Sequence, residues 1–329
     1  MIKKLGKFLG ALLLFVVVAA GGLVAYVKLA LPDVGPAPKL KVEASPAQLA
    51  RGAYLANHVT LCMDCHSTRD WTRFSGPLVP GTLGRGGEVF GPELGFPGTF
   101  VSRNITPAGI SSFTDGEVYH AITTGVTRDG SALFNIMPYA NYGRMDPADI
   151  NAIVAYVRSL EPINHTVPAP KADFPVNILI NTMPLKAAPQ KRPEPTDTLA
   201  YGAYMTNAAG CIVCHTRHEK GKPVGQPYAG GFEFNLGGGN IVRSVNITPD
   251  ETGIKALTKA DFIARFKAYA NPAAVVPVDM TKGEMQTVMP WTMYAGMTEQ
   301  DLGAIYDYLR SLAPVHNAVE RWTTSAAQK

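Results

Sequence analysis

Every cysteine of this chain lies in one of two copies of a single pattern. Cys62-Met63-Asp64-Cys65-His66 and Cys211-Ile212-Val213-Cys214-His215 both read C-x-x-C-H, and no thiol is left over. Residues three apart on a short helical stretch share a face, so thiols at this spacing can both add to the vinyl groups of one porphyrin, while the adjoining histidine meets the iron. Two other readings compete: a zinc site assembled from both cysteine pairs, and a pair of redox-active dithiols. Zinc would join ligands about 149 positions apart across a proline-rich connector, and neither alternative uses the histidines. The pattern therefore implies two covalently attached c-type haems, held through Cys62, Cys65, Cys211 and Cys214, with His66 and His215 on the two irons.

Such chemistry belongs to exported proteins, and the N-terminus agrees. Lys3, Lys4 and Lys7 precede a stretch without charge from Phe8 to Val27, about the length that spans a bilayer. A cleaved secretory signal shares the basic start, but its apolar core is shorter and ends in a small-residue cleavage site, of which no clear example follows here. Residues 1–32 are expected to be an uncleaved single-pass anchor in the bacterial inner membrane, with the N-terminus cytoplasmic and the rest in the periplasm. The formal net charge of +4 is accounted for by Lys3, Lys4, Lys7 and Lys28, which leaves 26 basic and 26 acidic residues in the exported part. Nucleic-acid binding, which needs clustered positive charge, is excluded.

The chain also repeats itself at a spacing near 150 residues. Arg51-Gly52-Ala53-Tyr54-Leu55 returns as Tyr201-Gly202-Ala203-Tyr204-Met205, and Asn104-Ile105-Thr106-Pro107 returns unchanged at Asn246-Ile247-Thr248-Pro249. Met137-Pro138-Tyr139 becomes Met289-Pro290-Trp291, and Asp149 to Leu160 reappears as Asp301 to Leu312. A repeat this long is a whole domain, not a solenoid unit. The expected division is an anchor (1–32), a linker (33–44), a first haem domain (45–165), a stiff proline-rich connector (166–196), a second haem domain (197–317) and a C-terminal tail (318–329).

Each domain reads as helical. Ser45-Pro46-Ala47-Gln48 combines an N-cap serine, a first-turn proline and an N3 glutamine, which predicts a helix running toward Cys62. Asp146 and Thr298 start the matching final helices, whose Ile150, Ile153, Val154 and Val157, and Leu302, Ile305 and Leu309, fall at helical spacing. Arg158 and Arg310 are expected only to favour the helix C-termini. The glycine-rich stretches 81–98 and 221–239 lack the strand and helix context of nucleotide-binding loops and are expected near the haem edges. Met137 and Met289 are the expected sixth ligands, because they occupy equivalent places and each precedes a proline that stiffens the strap. Met145 and Met297 are also equivalent, but they adjoin helix starts where packing is a sufficient explanation. His58, His120, His165, His218 and His316 are read as surface or core residues.

These motifs resemble the membrane-bound c-type cytochrome subunits of bacterial periplasmic dehydrogenases, such as those for gluconate and alcohol. The similarity rests on C-x-x-C-H, N-I-T-P, M-P-aromatic and the closing helix ending in R-S-L, over residues 47–160 and 199–312. It implies an all-α chain of tandem class I cytochrome c domains behind a transmembrane helix, with His66 and Met137 on one iron and His215 and Met289 on the other. Members of that family often carry three haem domains, whereas this chain has two. With both axial positions filled, the irons can only gain and lose single electrons. The expected role is therefore electron transfer and not catalysis. Electrons would come from a periplasmic dehydrogenase or quinol-oxidising complex and pass toward a terminal oxidase or a soluble cytochrome. A subunit held permanently in a respiratory complex is the alternative, and a di-haem peroxidase, which needs one iron without methionine, is a further one.

Overall fold

The uninterrupted apolar run at the N-terminus becomes a single helix, Ile2–Leu29, in the computed structural model, which describes residues 2–219 and 221–324. At 1.5 Å per residue its 28 residues reach about 42 Å, more than the ~30 Å hydrocarbon core of a bilayer. From Lys3 to Tyr26 its side chains touch no other part of the chain closely enough to be buried, and it is the one helix among the described residues long and apolar enough to cross a membrane. Its last turn is anchored. Lys28 Nζ donates to the Asn177 carbonyl at 2.6 Å, and Asn181 Nδ2 donates to the carbonyls of Val27 and Leu31 at 3.2 and 3.1 Å.

Beyond this helix, two halves carry the same elements in the same order. The first has Pro46–Tyr54, Cys62–Cys65, Asp115–Thr124, Tyr139–Tyr142 and Pro147–Arg158; the second has Thr198–Ala208, Cys211–Cys214, Lys259–Lys267, Trp291–Tyr294 and Glu299–Ser311. The first and last helix of each set cross in contact. Glycine permits that crossing: a Cβ on Gly52 would lie 1.9 Å from the Ala152 carbonyl oxygen, and one on Gly202 would lie 2.1 Å from that of Ala304. Around each crossing the helical stripe is buried, with Ile150, Ile153, Val154 and Met145 in one half and Leu302, Ile305, Leu309 and Met297 in the other, none more than 4% exposed. The helix starts follow their caps. Ser45 Oγ accepts from Gln48 N, Asp146 Oδ1 from Ala148 N and Thr298 Oγ1 from Asp301 N. The first helix ends at Tyr54, and a π-helical turn, Leu55–Val59, carries the chain on toward Cys62.

The all-α expectation is too narrow. Short strands form three small sheets among the described residues: Val89–Phe90 with Gly98–Val101 and Lys171–Ala172, His218–Glu219 with Lys222–Pro223, and Glu233–Asn235 with Ile241–Arg243 and Trp322–Thr323. They arise in the glycine-rich stretches, where left-handed glycines turn the chain between aromatic and β-branched residues that pair across the hairpins. The proline-rich connector packs against the first half. It folds back over the first half, adding a strand and then the helical turn Val176–Leu179, before Ala188 N and Gln190 N donate to the carbonyls of Gly143 and Arg144. Arg158 does more than face its helix end: it pairs with Asp115 at 3.0 Å and donates to the Ile110 carbonyl, tying the closing helix to the start of Asp115–Thr124 and the turn before it. Of the C-terminal tail, residues 325–329 lie outside the described residues.

Candidate metal centres

Each C-x-x-C-H helix starts from a left-handed residue, Leu61 (φ +55°) in the first half and Gly210 (φ +66°) in the second. A leucine in that conformation is uncommon and is held by its surroundings. The hydroxyl of Tyr142 donates to the Thr60 carbonyl just before it, as that of Tyr294 donates to the Ala209 carbonyl at 2.6 Å. The four-residue helices Cys62–Cys65 and Cys211–Cys214 then deliver His66 and His215 at their C-termini.

The two histidines are set identically. Nδ1 of His66 lies 2.7 Å from the Arg103 carbonyl oxygen, and Nδ1 of His215 lies 2.7 Å from that of Val245. A carbonyl only accepts, so Nδ1 carries the proton and Nε2 keeps its lone pair. Burial pushes both imidazoles below their ordinary value, against the opposing pull of those carbonyls, and so favours the neutral ring that ligates a metal.

The repeated N-I-T-P segment secures the carbonyl. Asn104 Oδ1 accepts from the Thr106 amide and hydroxyl at 3.0 and 2.7 Å, and its Nδ2 donates to Ile163 O at 2.8 Å. Asn246 repeats this with Thr248 at 2.9 and 2.8 Å and with Val315 O at 2.7 Å. The glycine-rich loop closes the ring, since Gly86 N and Gly230 N donate to the carbonyls of His66 and His215, both at 2.8 Å. A Cβ at either glycine would meet the strap, 2.5 Å from the Arg103 carbonyl carbon or 2.4 Å from that of Val245.

Met137 and Met289 are half-buried at the starts of equivalent turns, with Tyr139 N and Trp291 N donating to their carbonyls at 2.8 Å in both. Met145 and Met297 are 0% and 1% exposed inside the core, which gives them packing roles. Tyr139, beside Met137, is buried with its hydroxyl lacking a protein partner. The residues fit a c-type haem: two thiols on one helical turn, a neutral imidazole with Nε2 unclaimed among the described residues, and a methionine on a braced strap. They do not fit the zinc reading. Among the described residues no three His, Cys, Asp or Glu side chains converge on one point. The other histidines go elsewhere. His58 bonds the Met293 carbonyl, His218 the Thr216 carbonyl, His165 faces Arg85, His316 faces Asp250, and His120 is buried.

Sequence reasoning missed how the halves meet. Tyr204 of the second half donates to Asp149 of the first at 2.7 Å, and Asp146 N donates back to its oxygen at 3.1 Å. Tyr54 of the first half donates to Asp301 of the second, and Thr298 N donates to Tyr54 at 3.1 Å. Tyr54 and Tyr204 are repeat equivalents, as are Asp149 and Asp301, so the contact has local two-fold character. Arg51 and Tyr201, at the one position of that segment where the repeats differ in charge, each bind the aspartate of their own half. The short helix after each methionine strap packs on the other half: Trp291–Tyr294 on the π-helical turn Leu55–Val59, and Tyr139–Tyr142 on Thr198–Ala208.

Comparison with known proteins agrees with this geometry. Residues 199–313 match the cytochrome c family. Such a domain binds haem c covalently. The chain is 29% identical over 292 residues to the cytochrome c subunit of the quinone-dependent alcohol dehydrogenase of Gluconacetobacter polyoxogenes, covering 83% of this chain and 58% of that subunit. It is 29% identical over 186 residues to the gluconate 2-dehydrogenase cytochrome c subunit of Pantoea cypripedii, which covers 53% of this chain and 39% of that one. A diheme cytochrome c-type protein of Cereibacter sphaeroides is 25% identical over 264 residues, 77% of this chain and 82% of that one. The relatives of this chain include cytochrome c subunits of dehydrogenases, and the chain spans little more than half the length of the alcohol dehydrogenase subunit.

Proposed function

We propose that this protein is a membrane-anchored di-haem cytochrome c that carries single electrons away from a periplasmic dehydrogenase or quinol-oxidising complex. The observation that carries this reading is the shared setting of His66 and His215, with Nδ1 on a strap carbonyl at 2.7 Å in both. Residues 45–165 and 197–317 would be two cytochrome c domains that arose by duplication, a reading supported by the matching order of their elements and by the glycine-mediated helix crossing in each. Cys62 and Cys65 would hold one haem with His66 and Met137 on its iron; Cys211 and Cys214 would hold the other with His215 and Met289. Iron held between histidine and methionine supplies one-electron transfer at a raised potential.

The protein's part is to fix the tautomer of each histidine, brace each methionine strap and exclude competing ligands. Iron held by a histidine and a methionine would leave no coordination position for substrate, so the chain would not be an enzyme by itself. The helix Ile2–Leu29 would keep the two domains at the periplasmic face of the inner membrane, where a tether raises the effective concentration of membrane-bound partners. The acceptor would be a terminal oxidase or a soluble cytochrome. The dehydrogenase subunits among the relatives favour a stable complex over a free shuttle. Solubilising native membranes in mild detergent and identifying what copurifies tests this: a dehydrogenase subunit in fixed ratio is expected, and recovery of the chain alone from membranes that retain dehydrogenase activity would overturn it.

A further inference from the structure

The two methionine straps are braced differently. The Met137 carbonyl receives only the Tyr139 amide among the described residues, whereas the Met289 carbonyl also accepts from the Ser75 hydroxyl, across 214 positions of sequence, at 2.7 Å. The same hydroxyl accepts from Trp291 N at 3.0 Å, so one side chain of the first half closes the turn that carries Met289. Ser75 is itself fully buried and left-handed at φ +63°, and its amide donates to Gln286 Oε1 at 2.9 Å. Gln286, 1% exposed, returns two bonds from Nε2 to the carbonyls of Trp71 and Arg73, at 3.0 and 2.9 Å.

The connection extends back to the first site. Arg69 donates to the carbonyls of Ser75 and Gly76 at 2.6 and 2.8 Å, and pairs at 2.9 Å with Asp64, which lies inside the first C-x-x-C-H motif. Asp64, Arg69, Ser75 and the Met289 carbonyl thus form one continuous buried chain of hydrogen bonds. Phe74 N and Val278 N add backbone bonds between the loop and the second half.

We propose that the loop 69–76 of the first half positions the sixth ligand of the second iron, with Ser75 and Gln286 as the positioning residues. This rests on the reading of Met289 as a ligand. The turn that carries Met289 is then held at its methionine carbonyl by a side chain of the first half, whereas among the described residues no side chain of the second half hydrogen-bonds the Met137 carbonyl.

The test uses Ser75→Gly in the full-length, haem-loaded protein, since glycine keeps the left-handed backbone while the hydroxyl is removed together with its methylene. In the oxidised protein each methionine-ligated iron gives its own shifted methyl proton signal, assigned here by Met137→Ala and Met289→Ala. Added imidazole displaces the methionines and is followed through the two signals. With two hydrogen bonds lost, the Met289 signal should disappear at roughly tenfold lower imidazole than in the parent, with the Met137 signal unchanged. Amide hydrogen exchange at Trp291 should quicken by a similar factor. Equal shifts at both signals, or none at either, would overturn the positioning role. A parent that lacks the Met289 signal would instead remove the ligand assignment beneath it.

Discussion

The two helix crossings invite a direct perturbation, Gly202→Ala. On propensity alone the change should stabilise the 11-residue helix Thr198–Ala208 by about 1 kcal/mol. The structure argues for the opposite sign. The new methyl would sit 2.1 Å from the Ala304 carbonyl oxygen, 2.8 Å from its carbon and 2.9 Å from Tyr308 Cβ, and two of these three atoms are backbone. Restoring ordinary contact requires the two helices to part by more than an ångström, which unpacks Met205, Leu302, Ile305 and Leu309, all at most 4% exposed. Overpacking of this kind costs about 1–3 kcal/mol, and the accompanying loss of burial offsets the propensity gain, so a net loss of about 1–3 kcal/mol is expected. For a cooperative unit of this size that lowers Tm by about 3–10 °C. Thermal unfolding of the detergent-solubilised holoprotein, followed by circular dichroism in the haem absorption band, reads it directly. An unchanged or raised Tm would refute the claim that glycine is needed for the crossing, and Gly52→Ala, 1.9 Å from the Ala152 oxygen, is the matched repeat.

Other consequences follow from the same contacts. Asn246→Ala strands the Thr248 amide and leaves the Val315 carbonyl only its 3.2 Å bond from the Thr248 hydroxyl, and should cost about 1–3 kcal/mol in urea unfolding, with Asn104→Ala its counterpart. Burial tends to raise the Asp149 carboxyl, but Arg51, Tyr204 and Arg192 outweigh it and hold the group below its ordinary value. Its stabilisation is therefore present above the unfolded value of about 4 and lost as pH falls through the depressed folded value, so Asp149→Asn should flatten the acid limb of a stability–pH curve. Replacing residues 2–29 with a cleavable secretory signal should move the protein from the membrane pellet to the soluble periplasmic fraction; retention in the pellet would contradict the anchor.

How much of this was legible beforehand varies with the range of the interaction. The C-x-x-C-H motifs, the long apolar N-terminal helix and the capped helices at Ser45, Asp146 and Thr298 are local, and the chain spells them out. The internal repeat extended that reach: it paired Asn104 with Asn246 before any geometry showed that these residues hold the histidine straps. What stayed hidden depended on contacts between the halves. Tyr54, Tyr204, Asp149 and Asp301 were visible as matching positions, but nothing local says that each tyrosine binds the aspartate of the other half. Ser75 lies outside every repeated segment, and its partner is a backbone carbonyl that carries no side-chain signal. The small sheets were missed because strands of two to four residues are too short for an alternating pattern to register.

The central claim is that each half clamps one iron between a histidine and a methionine, His66 with Met137 and His215 with Met289. Proton NMR of the oxidised holoprotein, recorded for the parent, Met137→Ala and Met289→Ala, addresses it most directly. Two shifted methionine methyl signals are expected in the parent, with a different one lost in each variant. Survival of both signals in either variant, or fewer than two in the parent, would contradict the account.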